Sequence, residues 1–193
     1  MTPKRLVDLA VGGILLLAVL PLGLLIALLV RLDSPGPALF RQRRIGYGGR
    51  PFQIFKFRTM HVQEDGPQVV QARRRDPRVT RAGRVLRAAS LDELPQLINV
   101  LAGDMSLVGP RPHAAAHDDY YGRHIRNYAY RRRVRPGITG WAQIHGARGA
   151  TPNLADMQAR VELDAWYVDH GSVALDLVIL VLTPLEILHP ARE

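Results

Sequence analysis

Residues 9–30 read LAVGGILLLAVLPLGLLIALLV and contain no charged side chain. A helix needs roughly 20 apolar residues to cross the hydrocarbon core of a bilayer. This segment is therefore predicted to be a helix that enters a membrane, and it sets the frame for the rest of the chain.

Pro21 lies in the middle of this segment, where it removes a backbone hydrogen bond and bends a helix. Basic residues flank both ends, with Lys4 and Arg5 before the segment and Arg31 after it. Because basic flanks favour the cytoplasmic side, a hairpin bent at Pro21 would place both ends there. A simple spanning helix fits the length equally well, so the residues alone leave both arrangements open.

The composition indicates an anionic partner. The 193 residues include 26 Lys and Arg against 17 Asp and Glu, which gives a net charge of +9. Residues 31–150 hold 22 of the basic residues and only nine acidic ones. Nucleic acid, phospholipid headgroups or a phosphorylated substrate would suit this cationic region. The chain has no cysteine, which excludes disulfides, thiolate metal sites and cysteine nucleophiles.

The remainder predicts an α+β fold that is mainly helical. Two strand-like runs, 38–45 and 52–60, flank a glycine-rich turn and predict a small β-hairpin. The polar stretch 61–80 is typical of a loop. Helices are expected over 91–101, 114–133, 154–168 and 173–188. We expect a membrane segment over residues 1–32, with the hairpin and the spanning arrangement both open, and a second domain, with helices at the membrane interface, over 33–193.

Residues 90–93 read Ser-Leu-Asp-Glu and admit two interpretations. Ser90 followed by Glu93 is typical of a capping box, and an N-cap at Asp92 would place Pro95 more comfortably in the first turn. Alternatively, adjacent carboxylates in a cationic region suit Mg²⁺, and a carboxylate can attack phosphorus. Arg111 lies between two prolines, which suits either an anion clamp or a structural turn.

Four motifs follow one another along the chain: KFRTM (56–60), SLDELPQL (90–97), NVLAGDMSLVGPRP (99–112) and RPGITGWAQ (135–143). In this order they resemble the bacterial sugar transferase family, the small monotopic polyprenyl-phosphate phosphoglycosyl transferases. With the apolar N-terminal segment, the resemblance covers almost the whole chain.

The resemblance implies a re-entrant membrane helix broken at Pro21, although the serine that often precedes this proline in the family is Leu20 here. It implies Mg²⁺-dependent transfer of a sugar 1-phosphate from a UDP-sugar to polyprenol phosphate, with release of UMP. That reaction begins glycoconjugate or exopolysaccharide assembly. The catalytic domain would lie at the cytoplasmic face of the inner membrane, with no nucleic-acid partner. The chain would be the minimal form of the family, beginning at the re-entrant segment.

The resemblance also implies roles for individual residues. Asp92 would be the nucleophile that forms a covalent phosphosugar intermediate, with Glu93 beside it, and both carboxylates would hold Mg²⁺. Three arginines would bind phosphate: Arg58, Arg87 and Arg111.

The competing hypothesis is a non-catalytic, membrane-anchored basic protein that binds nucleic acid or anionic lipid. It accounts for the charge and the apolar N-terminus. It does not account for an Asp-Glu pair between Arg87 and Arg111.

Overall fold

The computed structural model describes residues 1–61, 76–149, 151 and 153–188, with side chains up to residue 186. The apolar segment forms helix α1 over Pro3–Asp33. Thr2 caps it by accepting a hydrogen bond from the backbone N–H of Arg5. At about 1.5 Å per residue, α1 is about 46 Å long. Within the described ranges it is the one helix long and apolar enough to cross a membrane.

The structure does not divide this segment into two helices as expected, because α1 continues through Pro21 as a single element. A proline removes one hydrogen bond from a helix, and the turns on either side keep theirs. The structure thus shows one helical element that contains a proline, and the re-entrant arrangement stays a prediction.

Both ends of α1 contact the same folded domain. Near its start, the Lys4 ammonium donates a 2.6 Å hydrogen bond to the Asp176 carboxylate. Near its end, Val30 packs in a buried cluster with Phe57 and Leu86. The inner side of the helix also packs against the main hydrophobic core between these ends, so α1 lies along the domain.

The outer side of α1 is apolar and exposed. The most exposed large side chains there are Ile14, Leu17, Leu24, Leu25 and Leu32, which are 65–77% exposed. The C-terminal helix α7 (Val173–Leu188) has a similar surface, formed by Leu177, Val178, Val181 and Leu185. Monomeric soluble proteins rarely expose apolar patches of this extent.

Two small sheets contribute the strands. Strands β1 (Leu39–Ile45) and β2 (Pro51–Phe57) pair antiparallel around a turn, which confirms the predicted hairpin. Strands β3 (Ser106–Val108) and β4 (Gly137–Thr139) pair in parallel, a sheet that the sequence did not predict.

The remaining α-helices are α2 (Arg81–Ala88), α3 (Gln96–Ala102), α4 (Ala115–His124), α5 (Trp141–Ile144) and α6 (Leu154–His170). The expected helices 154–168 and 173–188 are confirmed as α6 and α7. The helix expected over 114–133 is instead α4 followed by a 3₁₀ segment, Tyr128–Arg133, because Asn127 adopts a left-handed φ of 60° between them. Most of the loop expected over 61–80 lies outside the described residues.

The main hydrophobic core surrounds α3. Its buried members come from β2, α3, β3, α6 and α7, and include Ile54, Val100, Met105, Tyr167 and Ile179. The mainly helical α+β class is confirmed, and α3 anchors the segment that carries Asp92 and Glu93 to the core.

Candidate active site

The Asp-Glu pair lies in a 3₁₀ turn, Leu91–Glu93, directly before α3. Neither capping interpretation is correct. Ser90 is left-handed (φ 55°), unlike an N-cap, and its side chain makes no capping hydrogen bond. Its hydroxyl instead accepts a 2.5 Å hydrogen bond from Arg148. Helix α3 begins after Pro95, also without a side-chain cap.

Glu93 is bound by two cations. Arg111 donates from Nη1 to Oε2 at 2.9 Å and from Nη2 to Oε1, and Lys56 donates from Nζ to Oε1 at 2.7 Å. Burial alone would raise the pKa of Glu93, but the charges and hydrogen bonds of Arg111 and Lys56 hold it well below its usual value. Glu93 is therefore an ionised, fully engaged carboxylate.

Asp92 has the opposite environment. It is 8% exposed, and no described residue donates a hydrogen bond to its carboxylate. Burial raises its pKa, and Lys56 is the strongest opposing charge; Glu93 raises it further, whereas Arg87 and Arg111 lower it. The Asp92 oxygens therefore remain available to an incoming group in a cationic setting.

Arg87 lies in the last turn of α2 and is exposed. It makes no hydrogen bond with any residue that the structure describes, and its charge lowers the pKa of Asp92. Helix α2 is held close by Gly83, where a Cβ would come within 2.2 Å of the Thr59 carbonyl oxygen. Arg87 thus presents an unengaged guanidinium beside the pair.

Arg58, which the resemblance assigns to phosphate, is engaged by backbone carbonyls and a hydroxyl in this structure. It is 3% exposed, and its Nε donates to the Pro37 carbonyl at 2.7 Å. Its Nη atoms donate to the Ser34 hydroxyl and carbonyl, both at 2.7 Å, and to the Pro35 carbonyl at 2.8 Å. The hydrogen-bond donors of the guanidinium are thus occupied by acceptors in the residues that follow α1. The sequence does not distinguish an arginine at a strand end that binds a ligand from one that binds backbone carbonyls.

The loop that carries Arg111 is held from several sides. A Cβ at Gly109 would come within 2.3 Å of the Arg135 carbonyl oxygen, so this backbone approach requires glycine. Arg44 donates to the Pro112 carbonyl at 3.0 Å, and Arg131 donates to the Arg111 carbonyl at 2.5 Å. The Pro-Arg-Pro loop is therefore both a structural turn and the support of a charged side chain.

The donor set was tested against Mg²⁺. The described residues contain no group of three or more His, Asp or Glu side chains placed to hold a metal. Magnesium, however, commonly binds through one or two carboxylates together with substrate phosphates. Asp92 fits as such a ligand, whereas both oxygens of Glu93 are already engaged with Arg111 and Lys56.

Three of the predicted residues thus lie together, because Asp92 adjoins Glu93 and Arg111 is hydrogen-bonded to Glu93. The charge of Arg87 also acts on Asp92. Sequence reasoning missed Lys56 and Arg148 as members of the site. Lys56 offered one signal, since it is one of two lysines in an arginine-rich chain and lies within KFRTM. Arg148 offered none, because its contact with Ser90 joins residues 58 positions apart.

Comparisons with known proteins show which family the chain belongs to. A family described as bacterial sugar transferase matches residues 1–190. The chain is 58% identical over 180 residues to the UDP-glucose:undecaprenyl-phosphate glucose-1-phosphate transferase of Caulobacter vibrioides, covering 93% of this chain and 67% of that protein.

The protein of the same name from Escherichia coli is 52% identical over 180 residues, covering 93% of this chain. This chain spans only 39% of that relative's length. An exopolysaccharide production protein of Rhizobium leguminosarum is 43% identical, covering 92% of this chain and 90% of the relative. The chain belongs to the bacterial sugar transferase family.

Proposed function

We propose that this chain transfers a sugar 1-phosphate from a UDP-sugar to polyprenol phosphate at a membrane surface. The observation that carries the proposal is a buried Asp92 carboxylate that accepts no hydrogen bond within the described residues and feels the charges of three cations, Lys56, Arg87 and Arg111. A carboxylate that must approach anionic phosphorus needs such charges to offset the repulsion.

In the first step, an oxygen of Asp92 attacks the phosphorus that bears the sugar. A bond forms between that oxygen and phosphorus, and the bond from phosphorus to the bridging oxygen breaks, so UMP leaves with the electron pair. In the second step, an oxygen of polyprenol phosphate attacks the same phosphorus and Asp92 leaves as a carboxylate. The products are polyprenyl-diphosphate-sugar and UMP, and no oxidant or reductant is needed.

The cations make the first step feasible. Two unit charges of the same sign at 4 Å repel by about 1 kcal/mol in water and about 4 kcal/mol near a protein surface. Arg87 is free to bind phosphate. Glu93 orients Arg111 and Lys56 through hydrogen bonds. Each of these cations has further N–H groups that are not bonded to Glu93. When bound, Mg²⁺ would supply further neutralisation of the diphosphate, with Asp92 as its protein ligand.

The exposed apolar surfaces of α1 and α7 support membrane binding. Both ends of α1 contact one folded domain, which favours a re-entrant helix over a spanning one. Basic flanks favour the cytoplasmic face of the inner membrane. The site would then lie at the level of the lipid headgroups, where polyprenol phosphate presents its charge. Anionic lipid would be a secondary partner, and nucleic acid none.

UDP-glucose is the first candidate donor, because the relatives from Caulobacter and E. coli are named for glucose-1-phosphate transfer. The test is UMP release by the purified full chain with undecaprenol phosphate, Mg²⁺ and a panel of UDP-sugars, namely glucose, galactose and their N-acetylamino forms. We expect release that depends on polyprenol phosphate and is fastest with UDP-glucose.

The competing hypothesis predicts a different result. A non-catalytic basic protein would release no UMP from any UDP-sugar. It would bind a DNA duplex or anionic vesicles with an affinity that falls steeply with salt. That pair of results would overturn the proposal.

A further inference from the structure

We propose that Arg131, held in place by Asp164, is a positioning residue for Arg111. The proposal rests on the proposed function, because it assigns a purpose to Arg131 in the same site. Neither residue touches Asp92 or Glu93, and Arg131 acts on Arg111 through the backbone of the Pro-Arg-Pro loop.

Arg131 is fixed on one side by a buried ion pair. It lies in the 3₁₀ segment Tyr128–Arg133 and is 5% exposed. Its Nε and Nη2 donate to the same oxygen of Asp164, at 3.0 and 2.7 Å. Asp164 lies in α6 and is 2% exposed, so the pair joins two rigid elements away from solvent.

On its other side Arg131 holds the loop. Nη2 donates to the Arg111 carbonyl at 2.5 Å, and Nη1 contacts His113 Nδ1 at 3.0 Å. The guanidinium therefore binds the residues before and after Pro112. Since Arg111 Nη1 lies 2.9 Å from Glu93 Oε2, the backbone that Arg131 holds is the base from which Arg111 reaches the site.

His113 is suited to this contact because it is neutral. Burial lowers its pKa well below the usual value, and the charge of Arg131 lowers it further. A guanidinium can only donate, so Nδ1 accepts from Arg131 and the ring proton lies on Nε2. The Tyr128 hydroxyl lies 2.6 Å from the same Nδ1, which further fixes the ring. The Arg131 guanidinium therefore donates to three acceptors: the Asp164 carboxylate, the Arg111 carbonyl and His113 Nδ1.

The neighbouring pair Arg132–Asp118 provides a matched control. Arg132 follows Arg131 in the same 3₁₀ segment and forms an ion pair with Asp118 of α4, which is also 2% exposed. Within the described residues, Arg132 makes no hydrogen bond to the Pro-Arg-Pro loop. The Arg132 side chain is 28% exposed, against 5% for Arg131. A general need for ion pairs to buried carboxylates would therefore affect both pairs, whereas positioning of Arg111 would affect only Arg131–Asp164.

The test is a double-mutant cycle on the full chain, with UMP release as the assay and thermal unfolding as the check on folding. The variants are Arg131→Lys, Arg111→Ala and the two together, with Asp164→Asn as a second route to the same perturbation and Arg132→Lys as the control. Lysine keeps the charge but cannot bind Asp164, Arg111 and His113 at once. Each variant is assayed well below its own unfolding midpoint.

We expect Arg131→Lys to lower kcat about 10- to 100-fold with a smaller change in KM, as small displacements of a catalytic group do. Asp164→Asn should act in the same direction and Arg132→Lys should stay within about twofold. In the Arg111→Ala background, Arg131→Lys should lower kcat by less than about a further twofold, because the Arg111 side chain that it positions is absent.

If Arg131→Lys lowered kcat by the same factor with and without the Arg111 side chain, the inference would be overturned. Equal losses of kcat in Arg131→Lys and Arg132→Lys would overturn it as well. Activity losses in Arg131→Lys and Asp164→Asn that match only the unfolded fraction would also overturn it. A wild-type chain that releases no UMP would refute the proposed function itself, which is a separate outcome.

Discussion

Asp92 and Glu93 are neighbours in sequence, yet their surroundings separate their ionisation. Glu93 is bound by Arg111 and Lys56, and its pKa falls despite burial. Asp92 has no hydrogen-bond donor among the described residues, and burial raises its pKa. Adjacent carboxylates with pKa values driven apart are typical of sites in which one group is structural and the other reacts.

Lys56 allows this electrostatic account to be tested. Its charge is the strongest one lowering the pKa of Asp92, so Lys56→Gln should raise that pKa further. Activity needs ionised Asp92, so the acid limb of the kcat/KM profile should move to higher pH. UMP release should therefore fall more at acidic than at neutral pH.

Lys4→Gln is the matched control, since Lys4 is the other lysine and pairs with Asp176 at the start of α1. It should leave the position of the acid limb unchanged. A limb that stays fixed or moves to lower pH in Lys56→Gln would contradict the assignment of Asp92 as the titrating group.

The Asp-Glu pair and Arg111, which the family resemblance predicted to form one site, lie together in the structure. The resemblance assigned Arg58 to phosphate, and the structure shows a guanidinium filled by backbone carbonyls. Sequence reasoning missed Lys56 and Arg148 because their contacts join distant parts of the chain. Contacts of that range depend on tertiary packing, which local patterns do not specify.

At the scale of elements, α1 and β2 are joined by Arg58. Its donors satisfy carbonyls at the end of α1 and in the chain after it, groups that a helix end otherwise leaves unpaired. This contact fixes the end of the membrane helix relative to the strand that carries Lys56. Arg58 therefore supports the site through the fold.

Arg58→Lys should lower stability more than activity. A lysine cannot satisfy all of these carbonyls, and an unsatisfied buried polar group costs about 1–3 kcal/mol. We expect a lower unfolding temperature, with UMP release per folded molecule within about twofold of wild type. Arg84→Lys, on the exposed side of α2, should change neither. Unchanged stability with lost turnover would instead support a phosphate contact.

The sequence predicted elements well where one local pattern dominates, as in the β-hairpin, α6 and α7. It failed where a single residue takes a left-handed conformation. Ser90, directly before the 3₁₀ turn that carries the Asp-Glu pair, has φ 55°. Asn127, between α4 and the next 3₁₀ segment, has φ 60°. Serine is typical of N-caps, and only packing selects the left-handed turn at Ser90. Asparagine adopts the left-handed region more readily than most residues, so Asn127 carried a signal that the helix prediction over 114–133 did not use.

At the scale of the molecule, an apolar outer surface on α1 and α7 accompanies a cationic site. Lys4 ties these two helices together through Asp176, so their exposed faces belong to one folded unit. We infer that this unit rests on the membrane with its site at the headgroup level. Helix α1 continues through Pro21 as one element. The contacts at both of its ends support the same-side topology, which stays a prediction.

This topology can be tested in a chain that has no cysteine of its own. Pro3→Cys and Arg50→Cys place single thiols at exposed positions, at the first residue of α1 and between β1 and β2. Both should resist an impermeant thiol reagent added to intact cells and react once the inner membrane is opened. Labelling of one site only in intact cells would show a spanning helix.

The central claim is that Asp92 is the nucleophile at phosphorus. The most direct measurement is intact-protein mass spectrometry after incubation with UDP-glucose and Mg²⁺ in the absence of polyprenol phosphate. The account predicts a phosphosugar adduct that maps to Asp92, disappears on addition of polyprenol phosphate, and is absent from a folded, inactive Asp92→Asn variant. An active Asp92→Asn variant, or an adduct on another residue, would contradict it.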